Sequence, residues 1–233
     1  MALLPYSVLL CVAGSLILLD KWALGELGLS QPIVSCPLIG LIFGDFATGL
    51  FLGVALQLVW VEALPLGAGK PLDYQSAGIV GITSYFFARK TWLPSVAQDW
   101  PDVQNRVLFA CILLAALATI FGQFSDDRVK RFNGILYQAG MRARTRWGVT
   151  SAHLLALAPS FVRGLIVVGL FLVAMWAVRP YLPRLPSFTR GELLVVPLSI
   201  GIAGLVKLFY RRERIPLFLA GAIVSGVIWV FWR

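Results

Sequence analysis

Four stretches in the later part of this 233-residue chain, at 106–123, 160–178, 192–209 and 215–232, are apolar over lengths that meet or approach a bilayer crossing. A helix needs about 20 such residues to cross the hydrocarbon core, and few soluble folds carry even one run of this kind. Composition agrees: 59% of residues are hydrophobic and only 13% charged, against about 25% charged in ordinary soluble domains. Mean hydropathy is +0.83. A soluble fold would be left with large exposed apolar patches, and disorder needs the opposite composition. The reading is an all-α polytopic membrane protein.

Charge is distributed unevenly. Residues 1–88 carry two cations and five anions, and both later thirds are strongly basic within a total of +9. Arginines beside apolar spans orient a chain toward the cytoplasm, so a membrane topology is expected and no nucleic acid. Segment 124–146 contains Arg128, Lys130, Arg131, Arg142, Arg144 and Arg146, with Val129, Phe132, Leu136, Ala139 and Ala143 at helical spacing. It reads as a cytoplasmic amphipathic segment, either lying on the inner leaflet or forming a solvated helical linker. Lys207, Arg211, Arg212 and Arg214 fall on the same side. The N-terminal MALLPYSVLL has no basic n-region and is expected to be retained.

The first 88 residues do not read as plain spans. Apolar residues 2–19 end at Asp20-Lys21, and the runs after Pro32 are broken by Pro37, Gly40, Gly44, Asp45, Gly53 and Gln57. Pro65, Gly67, Gly69, Lys70, Pro71 and Asp73 follow. Irregular backbone and ionisable groups persist at membrane depth only where protein or a water-filled cavity covers them. Such interrupted segments point to a transporter binding site. Residues 1–88 are therefore expected to form a re-entrant substrate-binding region, and 89–233 a bundle of about four transmembrane helices.

The candidate binding residues are Gln57, Glu62, Lys70, Asp73 and Asp45. A polyhydroxylated ligand needs donors and acceptors converging in an apolar pocket, and Trp60 or Tyr74 could supply an aromatic wall. Each polar group also has a structural reading. Lys70 and Asp73 could pair to tie down a turn, and Asp45 after Gly44 suits an N-cap. Asp20-Lys21 reads as a membrane boundary, and Arg163 as a snorkelling residue or one facing a partner. Gln57 has no charge nearby and needs hydrogen bonds at that depth.

No catalytic residue, metal site or cofactor is expected. Cys11, Cys36 and Cys111 have no C-x-x-C spacing. Neither H-E-x-x-H nor G-x-S-x-G occurs, and the single histidine, His153, reads as structural or interfacial.

Pro37-Leu38-Ile39-Gly40 … Gly44-Asp45 … Gly49, then Gly53 … Leu56-Gln57, then Gly67-Ala68 … Asp73, resembles the IIC subunit of mannose/sorbose-type sugar phosphotransferase systems. The ordered spacing is dense from about 31 to 80 and loose beyond. The resemblance implies a sugar-translocating, multi-pass subunit of the bacterial inner membrane with re-entrant elements at its sugar site. It implies a IID membrane subunit, cytosolic IIA and IIB phosphocarriers, and trimers of IIC–IID pairs. Any phosphoryl chemistry would lie in those partners, with IIB phosphorylating the sugar. Gln57 stands where the family often has Glu, which would alter sugar preference because an amide both accepts and donates. A non-transporting scaffold or sensor of a reduced system, and an ion-coupled secondary transporter, are the alternatives.

Overall fold

The computed structural model describes residues 3–21, 24–61, 72–92, 100–142 and 145–209, with two isolated positions, Pro216 and Ala220. Seven helices account for most of them: α1 (Leu3–Leu18, closing in a 3-10 turn, Leu19–Lys21), α2 (Pro32–Phe43), α3 (Phe46–Val59), α4 (Tyr74–Trp92), α5 (Trp100–Arg142), α6 (Arg146–Val178, continuing into a 3-10 turn, Arg179–Arg184) and α7 (Arg190–Phe209). No strand occurs among the described residues. Among the described residues, three helical stretches are long and apolar enough to cross a membrane: Leu3–Lys21, Pro101–Arg142 and Trp147–Arg184. The protein is an all-α, multi-pass membrane protein. Expected spans 106–123 and 160–178 fall within the second and third of these, 192–209 forms α7, and 215–232 lies largely outside the described residues.

The opening third mixes two kinds of helix. α1 is a continuous apolar rod of crossing length, and the interruptions read from the sequence fall after it. α2 and α3 have 12 and 14 residues, about 18 and 21 Å at 1.5 Å per residue, short of a roughly 30 Å core. They form a hairpin whose turn is written in the sequence. Gly44 adopts φ +82°, a left-handed C-cap that glycine takes without strain. Asp45 then caps α3, its carboxylate accepting from the Thr48 amide at 3.1 Å. Pro32 opens α2, where a missing amide hydrogen costs nothing.

The hairpin closes through glycine. A methyl group at Gly49 would stand 2.5 Å from the Cys36 carbonyl oxygen, and one at Gly53 2.7 Å from that of Pro32. Within a membrane, helices gain little from hydrophobic burial against one another, so close backbone approach through small residues drives association.

α4 fills the centre. It packs against α1, α2, α3, α5 and α6, and every residue from Tyr74 to Ala88 is buried. Its sequence gave little sign of this, because Gln75, Ser76, Thr83 and Ser84 interrupt the apolar run. A helix enclosed by other helices need not be apolar on any face. Pro32 of α2 lies against Gly78, and Leu56 of α3 against Gly81.

Residues 124–142 are helical, as their spacing required, but they continue α5 without a break. At 43 residues that helix is about 64 Å long. α6 runs back along it, and Pro159 leaves its helix continuous. The basic stretch is therefore one arm of a helical hairpin continuous with α5, where a separate helix on the inner leaflet or a solvated helical linker was expected. The physical reason is a packing partner: the first half of α6 covers one side of the arm. At the tip the arms nearly touch, since a methyl on Gly140 would stand 2.5 Å from the Gly148 carbonyl oxygen.

Candidate functional site

Two polar clusters pin α4, one at each end. At its start Asp73 is wholly buried. Its carboxylate accepts from Lys21 Nζ at 2.7 Å, from Ser76 Oγ at 2.6 Å and from Arg163 Nη2. Arg163 also donates to Ser125 Oγ and to the Gly122 carbonyl, each at 3.1 Å. Asp126 extends the cluster, 3.4 Å from Lys21, 3.0 Å from Lys130 and 3.8 Å from Arg163. Buried charges persist only when paired and hydrogen-bonded. This cluster meets that condition by drawing from α1, α4, α5 and α6 at once. Asp20 is buried beside it and accepts from the Leu27 and Ser30 amides at 2.7 and 3.0 Å, fixing the loop before α2.

At the other end, Asp45 Oδ2 accepts from the Tyr85 hydroxyl at 2.7 Å and from Arg89 at 3.3 Å. Gln104 donates to the Tyr85 oxygen at 2.9 Å. Arg190 of α7 donates to Thr48 Oγ1 at 3.1 Å. The hairpin turn is thereby tied to α4, α5 and α7.

Between the clusters, α2 and α4 carry oxygens that are buried and make no hydrogen bond: Ser35 Oγ, Gln75 Oε1 and Ser84 Oγ. Unsatisfied polar atoms in a dry interior are uncommon and call for a reason. Gln57 is half-buried on α3, and its Oε1 accepts from the Ile33 amide at 3.3 Å, answering one of the open amides at the start of α2. Trp60 and Tyr74 are buried in the core.

Of the residues singled out from sequence, Asp45 and Gln57 are thus placed at the start and near the end of α3, and Asp73 at the start of α4. Glu62 and Lys70 lie outside the described residues. Asp73 makes an ion pair, as its structural reading required, but with Lys21 and Arg163. Lys21 ends the first candidate span, as a boundary residue would, but its charge is buried against the start of α4. Sequence reasoning missed Tyr85, Gln104, Ser35, Gln75 and Ser84; polar residues inside an otherwise apolar stretch were the available signal. Arg163 was legible as an arginine inside a span, though its carboxylates, 90 and 37 positions away in sequence, were not. Among the described residues no group of three or more His, Cys, Asp or Glu side chains is placed to hold a metal ion.

The fold defines a class: a polytopic all-α membrane protein with a short glycine-sealed hairpin laid against a central polar-bearing helix. Residues 5–228 match the family described as the PTS system sorbose-specific IIC component, and the chain belongs to that family. It is 25% identical over 224 residues to the sorbose-specific EIIC component of Klebsiella pneumoniae, covering 94% of this chain and 77% of that protein. Against the sorbose-specific EIIC component of Lacticaseibacillus casei the identity is 23%, covering 88% and 71%. A putative N-acetylgalactosamine permease IIC component of Escherichia coli is 41% identical over 51 residues, which is 22% of this chain and 38% of that one. Among solved structures, the mannose transporter ManYZ in complex with microcin E492 shares the fold with TM-score 0.55 at 19% identity, covering 96% of this chain and 85% of that one. Another, described as a membrane protein, reaches TM-score 0.67 at 18% identity with the same coverage.

Proposed function

We propose that this chain is the sugar-translocating component of a mannose-family, phosphoenolpyruvate-dependent phosphotransferase system in a bacterial inner membrane. A hexose-type sugar binds where the α2–α3 hairpin meets α4. The observation that carries this reading is the hairpin itself. Its helices are too short to cross, it is sealed by Gly49 and Gly53, and it lies against a buried helix that carries an unpartnered oxygen at Ser84. A sugar presents the hydroxyls such a group accepts from and donates to.

Within this reading Gln57 touches the sugar, and Glu62 and Lys70 complete the site from the following segment. Asp45 and Asp73 have their oxygens taken by protein donors, so they position the hairpin and α4 around the ligand. The chain works as a transport subunit beside a IID membrane subunit, in trimers of IIC–IID pairs. Cytosolic IIA and IIB carry the phosphoryl group, and IIB delivers it to the sugar. The names of the relatives, which specify sorbose and N-acetylgalactosamine, and the ManYZ fold neighbour support a sugar of this class.

The test is uptake in cells lacking other sugar carriers, supplied with this chain, its membrane partner and the phosphocarriers. Accumulation of phosphorylated sorbose, mannose or N-acetylgalactosamine that requires phosphoenolpyruvate is expected. Uptake that persists without phosphoenolpyruvate and collapses with the proton gradient would replace this reading with an ion-coupled transporter. No uptake of any of them, with the assembly intact, would leave a scaffold or sensor.

A further inference from the structure

An apolar groove of about 380 Å³ opens along the α5–α6 pair, away from the hairpin. Phe121, Phe124 and Phe132 of α5 and Val162 and Ile166 of α6 form its walls, with Arg128 on its rim. Arg163 also borders it, but its guanidinium is engaged inward by Asp73, Ser125 and Gly122. Arg128 is different. It is exposed, its guanidinium carbon stands 3.6 Å from the centre of the Phe124 ring, and among the described residues it makes no ion pair.

The groove also has a direction. The apolar stretch of α5 ends at about residue 123, so Arg128 stands about one turn beyond the hydrocarbon edge, where headgroups lie. From there the exposed side chains of Leu113, Leu117 and Ile120 on α5, and of Leu170 and Val173 on α6, carry the apolar surface back into the span. A cation at the headgroup level above an aromatic-walled channel running into the bilayer matches one ligand chemistry: a phosphate joined to an acyl chain. Arginine suits the phosphate because its planar fork binds two oxygens together, and the Phe124 ring holds that fork in place.

We propose that this groove is a specific site for an anionic phospholipid, one acyl chain lying along Phe121 and Ile166 and its headgroup phosphate on Arg128. The site is independent of the sugar site, so either can fail alone.

The chain is reconstituted in nanodiscs of equal parts phosphatidylglycerol and phosphatidylcholine, and lipids retained after gentle release are counted by native mass spectrometry. About fivefold enrichment of phosphatidylglycerol is expected, the ratio one basic residue gives at an acidic lipid surface. Arg128→Gln abolishes the enrichment. Arg131→Gln removes the same charge from the same helix outside the groove and preserves it. Ile166→Trp, which fills the channel, lowers retention of the anionic lipid with Arg128 intact. Equal retention of both lipids overturns the site, as does equal loss in the Arg128 and Arg131 variants, which would mean diffuse attraction. A segment of a partner protein seated in the groove of the purified assembly overturns it as well.

Discussion

Asp73 illustrates what a single side chain can demand of a membrane fold. A carboxylate with no exposure to water is tolerated because Lys21 and Arg163 reach it from helices far apart in sequence. Removing one partner of such a buried pair leaves the other uncompensated, at about 3–5 kcal/mol. Arg163→Met is therefore expected to lower the thermal midpoint of the detergent-purified protein sharply. The double variant Arg163→Met, Asp73→Asn should recover part of that loss, because the buried carboxylate that had lost one of its two cations is gone, and the coupling between the two sites is measurable as a cycle. Tyr85→Phe is milder. It withdraws the hydroxyl shared by Asp45 and Gln104, and a loss of about 1–3 kcal/mol follows for a hydrogen bond to a charged group. Asp45 as a cap was readable from Gly44-Asp45 alone, because the signal is local. The partners of Asp73 were not, since nothing in a sequence marks which distant cations will converge.

At the scale of elements, the glycines separate two roles that look alike in sequence. Gly49 faces backbone: a methyl there would press on the Cys36 carbonyl, which has no side-chain rotamer to relieve it. Gly49→Ala is expected to destabilise the hairpin by about 1–3 kcal/mol, the usual range for overpacking. Gly134 lies in α5 with open space around it. Gly134→Ala should instead stabilise by about 0.5–1 kcal/mol through reduced chain entropy. Thermal midpoints of the two variants, measured side by side, should move in opposite directions. The broken hairpin was legible because proline, glycine and aspartate punctuate it at short intervals. α4 was not, because a helix enclosed on all sides carries no amphipathic period. The unbroken α5 was obscured by a change in composition at residue 124, where apolar residues give way to charge while the backbone continues.

At the scale of the molecule, the Asp73 cluster joins the start of α4 to α1, α5 and α6, the Asp45 cluster ties the α2–α3 hairpin to the other end of α4, and the two long helices α5 and α6 extend past the span as a joined arm. The expected class, an all-α membrane protein, followed from run lengths and charge, which are whole-chain properties. The proposed binding site was legible only in part, because its candidate residues are drawn from α2, α3 and α4 and include serines indistinguishable by sequence from ordinary interior ones. If Ser84 faces a ligand, Ser84→Ala should leave the midpoint within about 0.5 kcal/mol of the parent, since no protein bond is lost, while weakening sugar binding.

The central claim is that the hairpin and α4 form the sugar site. It is tested most directly by equilibrium binding of radiolabelled sorbose, mannose and N-acetylgalactosamine to the purified assembly of this chain with its membrane partner, comparing parent, Gln57→Leu and Ser84→Ala. The account predicts saturable binding of at least one sugar, weakened about tenfold or more by either change, as for hydrogen bonds worth about 1.4 kcal/mol or more each. Saturable binding that neither substitution alters, in proteins with unchanged thermal midpoints, would contradict it.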